Sequence, residues 1–220
     1  MLNELKIIDA SSVLAGPSVA TFFAELGARV IKVEHPRHTD VTRSWKLPSE
    51  DPNSLVSAYF SSINYKKTYK SLDLSLSTDK KLFLDLVKDA DVLITNFKKG
   101  DVEKFDITDE ILFNLNSRLI HGKINGYGSK SDRVAYDLIL QAESGFMSMN
   151  GTSESGPVKM PVALIDVLAA HHLKEGILLA LYEREKTKVG KAVSVSLYDA
   201  ALSSLVNQAS NYLMGGKVPQ

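Results

Sequence analysis

Cysteine is absent from the 220-residue sequence, and tryptophan occurs only once. The lack of cysteine excludes disulfides, thiolate metal sites and cysteine nucleophiles. The 26 basic and 26 acidic residues cancel, so no overall field favours nucleic acid or an anionic membrane. No apolar run approaches the roughly 18 residues that a membrane-spanning helix needs. We therefore expect a cytoplasmic protein that binds neither nucleic acid nor membrane, and whose ligands are held by local clusters of side chains.

The first part of the chain has the pattern of a βαβ unit. Residues 5–10 are a short apolar run typical of a buried strand, residues 18–26 have the pattern of a helix that ends at Gly27, and Arg29–Glu34 is a second apolar run. Two parallel strands joined by a helix predict a right-handed crossover in a parallel sheet. The turn between them contains no G-x-G-x-x-G motif, so it does not indicate a nicotinamide or flavin site.

The rest of the chain continues this alternation of strands and helices. We predict strands at residues 90–97, 118–124 and 192–197, and helices at residues 77–89, from after Asp166 to about residue 184, and at residues 198–214. His171 and His172 are adjacent in the predicted long helix, so their imidazoles point apart and do not indicate a metal site. The pattern is typical of an α/β protein with a parallel sheet.

The segment of residues 135–151 allows two interpretations. Leu138, Ile139, Ala142, Phe146 and Met149 recur at helical spacing and predict a buried stripe. The polar residue before this stripe, at position 137, is an aspartate. Such an aspartate is typical of a helix N-cap, and the same position also suits a carboxylate nucleophile beside the positive end of a helix dipole.

Several short motifs identify a resemblance. They are Ala15-Gly16-Pro17, Leu26-Gly27-Ala28, Val30-Ile31-Lys32-Val33-Glu34, Asp40-Val41-Thr42-Arg43, Asn64 with Lys67, Asn96-Phe97 with Gly100, Tyr136-Asp137, Gln141-Ala142, Ser144-Gly145 and Met147-Ser148-Met149-Asn150-Gly151. Together they resemble the class III CoA-transferase family, which includes formyl-CoA and carnitine-type transferases and 2-methylacyl-CoA racemases. The resemblance implies a Rossmann-like parallel sheet flanked by helices. It also implies a second, small domain that this sequence lacks.

The resemblance also implies a site. Asp137 would attack an acyl-CoA thioester and carry CoA to a carboxylic acid through anhydride and thioester intermediates. The implied CoA-binding residues are Val13, Leu14, Ala15, Arg37, Lys67, Asn96, Phe97, Lys104, Gly126 and Tyr136. Four residues depart from the family pattern, with His35 for an arginine, Lys98-Lys99 for Arg-Pro and Lys123 for a serine. Acyl-CoA and a carboxylate are then substrates, with no metal and no permanently bound cofactor.

The resemblance to one half of the family pattern sets the expected organisation. We expect residues 1–214 to form the N-terminal part of a CoA-binding large domain and residues 215–220 to begin a linker. Complete family members form interlocked dimers, so we expect a homo-oligomer. For the 220-residue chain alone we expect self-association, weak CoA binding and turnover at least ~100-fold below a complete enzyme.

Three alternatives to the transferase stay open. A 2-methylacyl-CoA racemase needs an acid/base pair, but Tyr136 stands where the racemase has a histidine, and tyrosine is a poor base at neutral pH. Its second aspartate is matched by Asp166. A catalytically silent CoA-binding subunit and a nucleotide-binding regulatory module are the other two.

Overall fold

The computed structural model describes residues 2–98 and 100–219. The strands are β1 (Lys6–Ala10), β2 (Arg29–Glu34), β3 (Thr68–Ser71), β4 (Val92–Thr95), β5 (Ile120–Asn125) and β6 (Lys191–Ser196). They form one sheet in the order β3-β2-β1-β4-β5-β6, and each neighbouring pair is parallel. This architecture confirms the predicted parallel α/β sheet.

Helices connect the strands and cover both faces of the sheet. They are α1 (Ala15–Glu25), α2 (Ala58–Ser62), α3 (Ser77–Lys88), α4 (Asp101–Lys104), α5 (Asp109–Leu115), α6 (Asp137–Glu143), α7 (Phe146–Met149), α8 (Leu164–Thr187), α9 (Leu197–Ser203) and α10 (Asn207–Gly215), with a 3₁₀ turn at Val41–Ser44. None of the helices in the described parts of the chain combines the length and the apolar character needed to cross a bilayer.

The central strands β1 and β4 bury both faces, which explains their apolar runs. In β4, Val92 and Ile94 pack into the core shared with α1, α8 and α9, whereas Leu93 packs into the core on the α3 and α5 side. In β1, Ile7 and Ile8 divide in the same way, and both are fully buried. Burying one such side chain stabilises the fold by about 1.5–3 kcal/mol. Apolar runs of this kind therefore fix the centre of the sheet.

Three local details differ from the sequence prediction. Strand β3 was not predicted, because all four of its residues are exposed and lack the apolar run of the other strands. The helix predicted at residues 198–214 is divided into α9 and α10, where Val206 has φ 44°. The segment 135–151 is divided into α6 and α7 at Gly145, whose φ of 88° suits glycine. Lys99 of the predicted Lys98-Lys99 pair and Gln220 of the predicted linker lie outside the described residues.

Candidate functional site

Two adjoining cavities, of about 390 and 220 Å³, lie at the carboxyl ends of β1 and β4. We call them together the groove. The residues that line both cavities are Ser12, Val13, Asn96, Phe97, Lys98 and Tyr136. Strand β1 leads to β2 on one side of the sheet and lies beside β4 on the other, so the strand order reverses here. Ligands of open α/β sheets bind at such a reversal.

One wall of the groove is the segment that follows β1, and side chains from other elements hold its backbone. The Asn96 side chain accepts a hydrogen bond from the Ser12 amide (3.1 Å) and donates one to the Ser12 carbonyl (2.9 Å). The Val13 amide donates to the Asp40 carboxylate at 3.2 Å. Asn96 was predicted to bind CoA. The structure places it on the groove, with its amide group holding the wall.

Lys67 is a correction to the predicted site. Its ammonium nitrogen lies within 2.9 Å of four oxygens, those of Asp9 Oδ2, the Pro17 and Ile63 carbonyls and Asn64 Oδ1. The Lys67 side chain is fully buried. These partners occupy its hydrogen-bond donors inside the protein, so Lys67 joins β1, α1 and α2 instead of facing a phosphate in the groove.

A second buried lysine extends this ionic cluster to the groove wall. The ammonium of Lys32 donates to the Ser11 carbonyl (2.5 Å) and to Asp40 (3.3 Å), and lies 3.7 Å from Asp9. Burial pushes the pKa of Asp9 up, but the positive charges of Lys32 and Lys67 outweigh it and hold that pKa at about 2. The cluster therefore contains an ionised carboxylate buried in the protein interior.

The prediction that Asp137 is the N-cap of its own helix is wrong. Tyr136 is the N-cap of α6, and Asp137 is the first residue of that helix. The Asp137 Oδ1 atom instead accepts hydrogen bonds from the amides of Ile165 (2.6 Å) and Asp166 (3.2 Å), at the start of α8. Helix α8 has no side-chain cap from its own N-cap residue, Ala163. Asp137 therefore supplies the cap from another helix, beside the positive end of the α8 dipole.

The second oxygen of Asp137 is held by one residue of its own helix. Gln141 Nε2 donates to Asp137 Oδ2 at 2.5 Å, and Gln141 Oε1 accepts from the Met160 amide at 2.7 Å. The Met160 contact fixes which end of the Gln141 amide faces Asp137. Gln141 is 1% exposed. Sequence analysis noted Gln141 only as part of a motif, and its spacing four residues after Asp137 was the available signal.

A further buried carboxylate lies beside Asp137. Burial, and next the negative charge of Asp137, raise the pKa of Asp166 to about 7. Burial and then the carboxylates of Asp166, Asp137 and Asp40 raise the pKa of Tyr59 to about 12. The neighbourhood of Asp137 thus contains a carboxyl group that holds its proton near neutral pH.

The predicted buried stripe is wrong for Leu138, Ile139 and Ala142, which are exposed, whereas Phe146 packs partly buried against the core. Leu138 and Ile139 are 50% and 47% exposed, whereas Leu140 is fully buried. Gln141 and Ser144 are buried next to it. The helix is rotated from the predicted orientation, because the contact between Asp137 and Gln141 requires that polar face to turn inward.

The other predicted CoA-binding residues divide into two groups. Residues that line the groove are Val13, Asn96, Phe97, Gly126 and Tyr136. Residues that are absent from its lining are Leu14, Ala15, Arg37, Lys67 and Lys104. Leu14 and Ala15 begin α1, and Ala15 is buried. Arg37 is exposed on the loop after β2, and Lys104 is exposed in the short helix α4. Both residues lie outside the groove lining.

Gly126 is required where it stands. A Cβ atom at this position would lie 2.6 Å from the Ala135 Cβ and 3.2 Å from the Arg133 carbonyl oxygen. Both distances are shorter than ordinary contacts, so the glycine allows the segment before Asp137 to pass close to the end of β5. Gly126 is also one of the predicted CoA-binding residues that line the groove.

A third cavity, of about 420 Å³, shares Phe97, Lys98, Ile124, Asn125 and Ser131 with the groove. Its lining includes a polar chain that sequence analysis missed. His121 contacts Thr95 Oγ1 (2.9 Å) through Nε2 and Asp109 (2.7 Å) through Nδ1. Burial lowers the pKa of His121, although Asp109 opposes the shift. No spacing pattern links these three residues, which belong to two strands and a helix.

Comparisons with known proteins identify the family. The profile of CoA-transferase family III matches residues 2–220. The chain is 34% identical to a succinyl-CoA:mesaconate CoA-transferase of Haloarcula hispanica and 36% identical to a succinate–glutarate CoA-transferase of Agrobacterium fabrum. In each comparison 99% of this chain is covered, with 57% and 56% of the relative.

A solved structure gives the same result for the fold. The crystal structure of a CAIB/BAIF family protein from Brucella suis is 34% identical, with a TM-score of 0.91 over 99% of this chain and 58% of that chain. The chain thus spans about half the length of the relatives it matches. The profile match covers nearly the whole sequence, and the chain belongs to CoA-transferase family III.

Proposed function

We propose that this chain supplies the acyl-CoA groove and the nucleophile of a transferase that moves CoA between an acyl-CoA and a carboxylic acid. The observation that carries the proposal is the position of Asp137. Its carboxylate is held by three hydrogen bonds at the N-terminus of α8. Tyr136, the preceding residue, lines the groove and is 57% exposed.

The two oxygens of Asp137 have different surroundings, which suits two different tasks. Oδ2, with Gln141 as its partner, attacks the thioester carbonyl carbon; the C–S bond breaks and CoA leaves as the thiolate. The product is a mixed anhydride in which Oδ1 is the carbonyl oxygen. The thiolate then attacks Asp137 Cγ and releases the first carboxylate, which leaves an aspartyl-CoA thioester.

The amides at the start of α8 assist the attack on Cγ. Negative charge develops on Oδ1 when the thiolate adds to Cγ, and the Ile165 and Asp166 amides already point at Oδ1. Donors fixed where charge develops act as an oxyanion hole, and one such donor typically contributes about 10²–10³ in rate. An incoming carboxylate attacks the thioester at Cγ, which forms a second anhydride and releases the CoA thiolate. The thiolate then attacks the acyl carbon of the incoming acid, which forms the new acyl-CoA and releases the Asp137 carboxylate. Asp137 is then free again.

Relatives support a substrate class. Their names contain succinyl-CoA, mesaconate, succinate and glutarate, which are short dicarboxylic acids or their thioesters. We propose the same class here, with CoA as part of the substrate. The expected homo-oligomer and cytoplasmic location stay predictions.

Trapping with hydroxylamine tests the nucleophile. The chain is incubated with succinyl-CoA and then hydroxylamine, and mass spectrometry locates the hydroxamate. We expect the label on Asp137 and its loss in Asp137→Asn. Asp85→Asn, on the exposed side of α3, is the matched control and should keep the label. A label on Asp137→Asn, or one at another residue, would contradict the proposal.

One observation favours a racemase as the second candidate. Asp166, with its pKa raised to about 7 mainly by burial, is a group that can hold or release a proton near Asp137. A 2-methylacyl-CoA in deuterated water, without an acceptor acid, separates the two functions. We expect no deuterium at the α-carbon for a transferase. Stereospecific uptake that Asp166→Asn abolishes would favour the racemase.

A further inference from the structure

The groove wall contains a strained residue. Val13 has φ 71°, in the left-handed region. That conformation is unusual for a β-branched side chain, and it persists only where the surroundings hold it. Such residues concentrate at ligand-binding sites. Val13 lines both cavities of the groove, so the strain lies at the surface that a substrate would touch.

Asp40 is the side chain that holds Val13. Its two carboxylate oxygens lie 3.3 and 3.2 Å from the Val13 amide nitrogen. The Asp40 side chain is 1% exposed. Thr42 donates to Oδ1 through its amide (3.1 Å) and its hydroxyl (2.8 Å), and Lys32 donates to Oδ2 (3.3 Å). These partners hold the Asp40 carboxylate in place, so the Val13 amide is bonded to an acceptor whose position is fixed.

The two preceding residues of the wall are held by side chains other than Asp40. Both backbone groups of Ser12 are bonded to Asn96, and the Ser11 carbonyl accepts from Lys32. Within this wall the Val13 amide is bonded directly to Asp40, and Lys32 connects Asp40 to the Ser11 carbonyl. Loss of this carboxylate would therefore release the Val13 amide directly, whereas Ser12 stays bonded to Asn96.

We propose that Asp40 is a positioning residue for acyl-CoA, which holds Val13 in its left-handed conformation and so fixes the groove wall for binding. This inference rests on the proposed function. When the wall is already ordered before CoA binds, the binding free energy is not reduced by the cost of ordering it. Without Asp40, Val13 relaxes to negative φ and its side chain and peptide move within the groove.

Calorimetric titration of the full chain with CoA tests the proposal. We expect Asp40→Asn to weaken CoA binding by about tenfold, equivalent to about 1.4 kcal/mol. Glycine adopts positive φ readily. Val13→Gly therefore provides a background in which positive φ costs little strain, and its own CoA dissociation constant is the reference for the double variant. In the double variant, the loss due to Asp40→Asn should fall below about threefold, which demonstrates coupling between the two positions.

Two further variants separate positioning from stability. Asp91→Asn is the matched control, since Asp91 accepts from the Lys6 amide and Arg184 on the opposite side of the fold from the groove. It should lower the melting temperature and leave the CoA dissociation constant unchanged. If Asp40→Asn does not fold, Thr42→Val removes one hydrogen bond to the carboxylate. It should weaken binding in the same direction, and Val13→Gly should suppress the effect.

The outcomes distinguish the two proposals. A wild-type chain that does not bind CoA overturns the proposed function and this inference with it. Wild-type binding with an unchanged dissociation constant in the folded Asp40 or Thr42 variant overturns the inference alone. Equal losses from the Asp40 or Thr42 substitution in the wild-type and Val13→Gly backgrounds also overturn it, because positioning through Val13 requires coupling.

Discussion

Asp137 caps α8 and is also the proposed nucleophile, and two substitutions separate these roles. Asp137→Ala removes the acceptor of the Ile165 and Asp166 amides. Loss of a helix cap costs about 0.5–2 kcal/mol. Gln141 also loses its partner, but its Nε2 keeps a contact of 3.2 Å to the Val162 carbonyl. We therefore expect a decrease in unfolding free energy of about 1–2 kcal/mol.

Asp137→Asn retains an oxygen for the two α8 amides. Its new NH₂ group faces Gln141 Nε2, so two donors meet unless the Gln141 amide turns over. That rotation takes Gln141 Oε1 away from the Met160 amide, which is 2.7 Å from it. One side-chain hydrogen bond is then lost, and we expect a decrease of about 1 kcal/mol. The expected stabilities of the two variants are close, so a second measurement is needed.

Hydrogen exchange at the start of α8 provides that measurement. The Ile165 and Asp166 amides should exchange faster in Asp137→Ala and near the wild-type rate in Asp137→Asn. Urea unfolding and exchange are measured at pH 5.5, where Asp166, with a pKa of about 7 raised mainly by burial, stays protonated. Both variants should lose the hydroxamate label. Unchanged exchange and stability in Asp137→Ala would refute the capping role, and a retained label in Asp137→Asn would refute the nucleophile.

The remaining predictions concern buried charges. Lys67→Met should lower the unfolding free energy in urea by about 3–5 kcal/mol, because it removes one partner of a buried ion pair; a change in CoA affinity at unchanged stability would contradict this. The pKa of Asp9 is about 2 against an ordinary 3.8, because Lys32 and Lys67 outweigh the effect of burial. Ionised Asp9 therefore contributes about 2 kcal/mol to the free energy of unfolding above pH ~4, and this contribution is lost as the pH falls to ~2. The acid unfolding of Asp9→Asn, measured by circular dichroism, should therefore depend less on pH. The pKa of Asp166 is raised to about 7, mainly by burial. Asp166 keeps its proton in the folded state and releases it on unfolding, so the free energy of unfolding should fall by up to about 4 kcal/mol between pH ~4 and ~7. Urea unfolding curves of Asp166→Asn should lack this decrease. The same pH dependence in Asp166→Asn as in the wild type would refute the prediction.

The sequence by itself determined the sheet and the strands at its centre. Apolar runs in β1, β2 and β4 are buried on both faces, and burial of that kind depends on composition more than on distant contacts. Strand β3 could not be predicted in this way, because it pairs with β2 through its backbone while its side chains stay exposed.

The sequence also indicated Asp137 as the candidate nucleophile, because it stands in a long motif that resembles the CoA-transferase family. It could not determine what the carboxylate touches. The partners Ile165 and Asp166 lie 28 and 29 residues further along the chain, and the packing of α6 against α8 brings them together. Spacing predicts that residues share a helix face, but not which face turns inward, so Leu138 and Ile139 were wrongly expected to be buried.

Lys67 and Asp40 in the ionic cluster also show that the sequence alone does not determine which groups a charged side chain contacts. Lys67 stands in a motif that suggested phosphate binding, but the fold places it among four oxygens from three other elements and a neighbouring residue. Asp40 was part of a recognised motif, yet its contact with the strained Val13 depends on how two separate loops meet. A sequence specifies which groups are charged, whereas only tertiary contacts decide whether such a charge holds the protein together or faces a ligand.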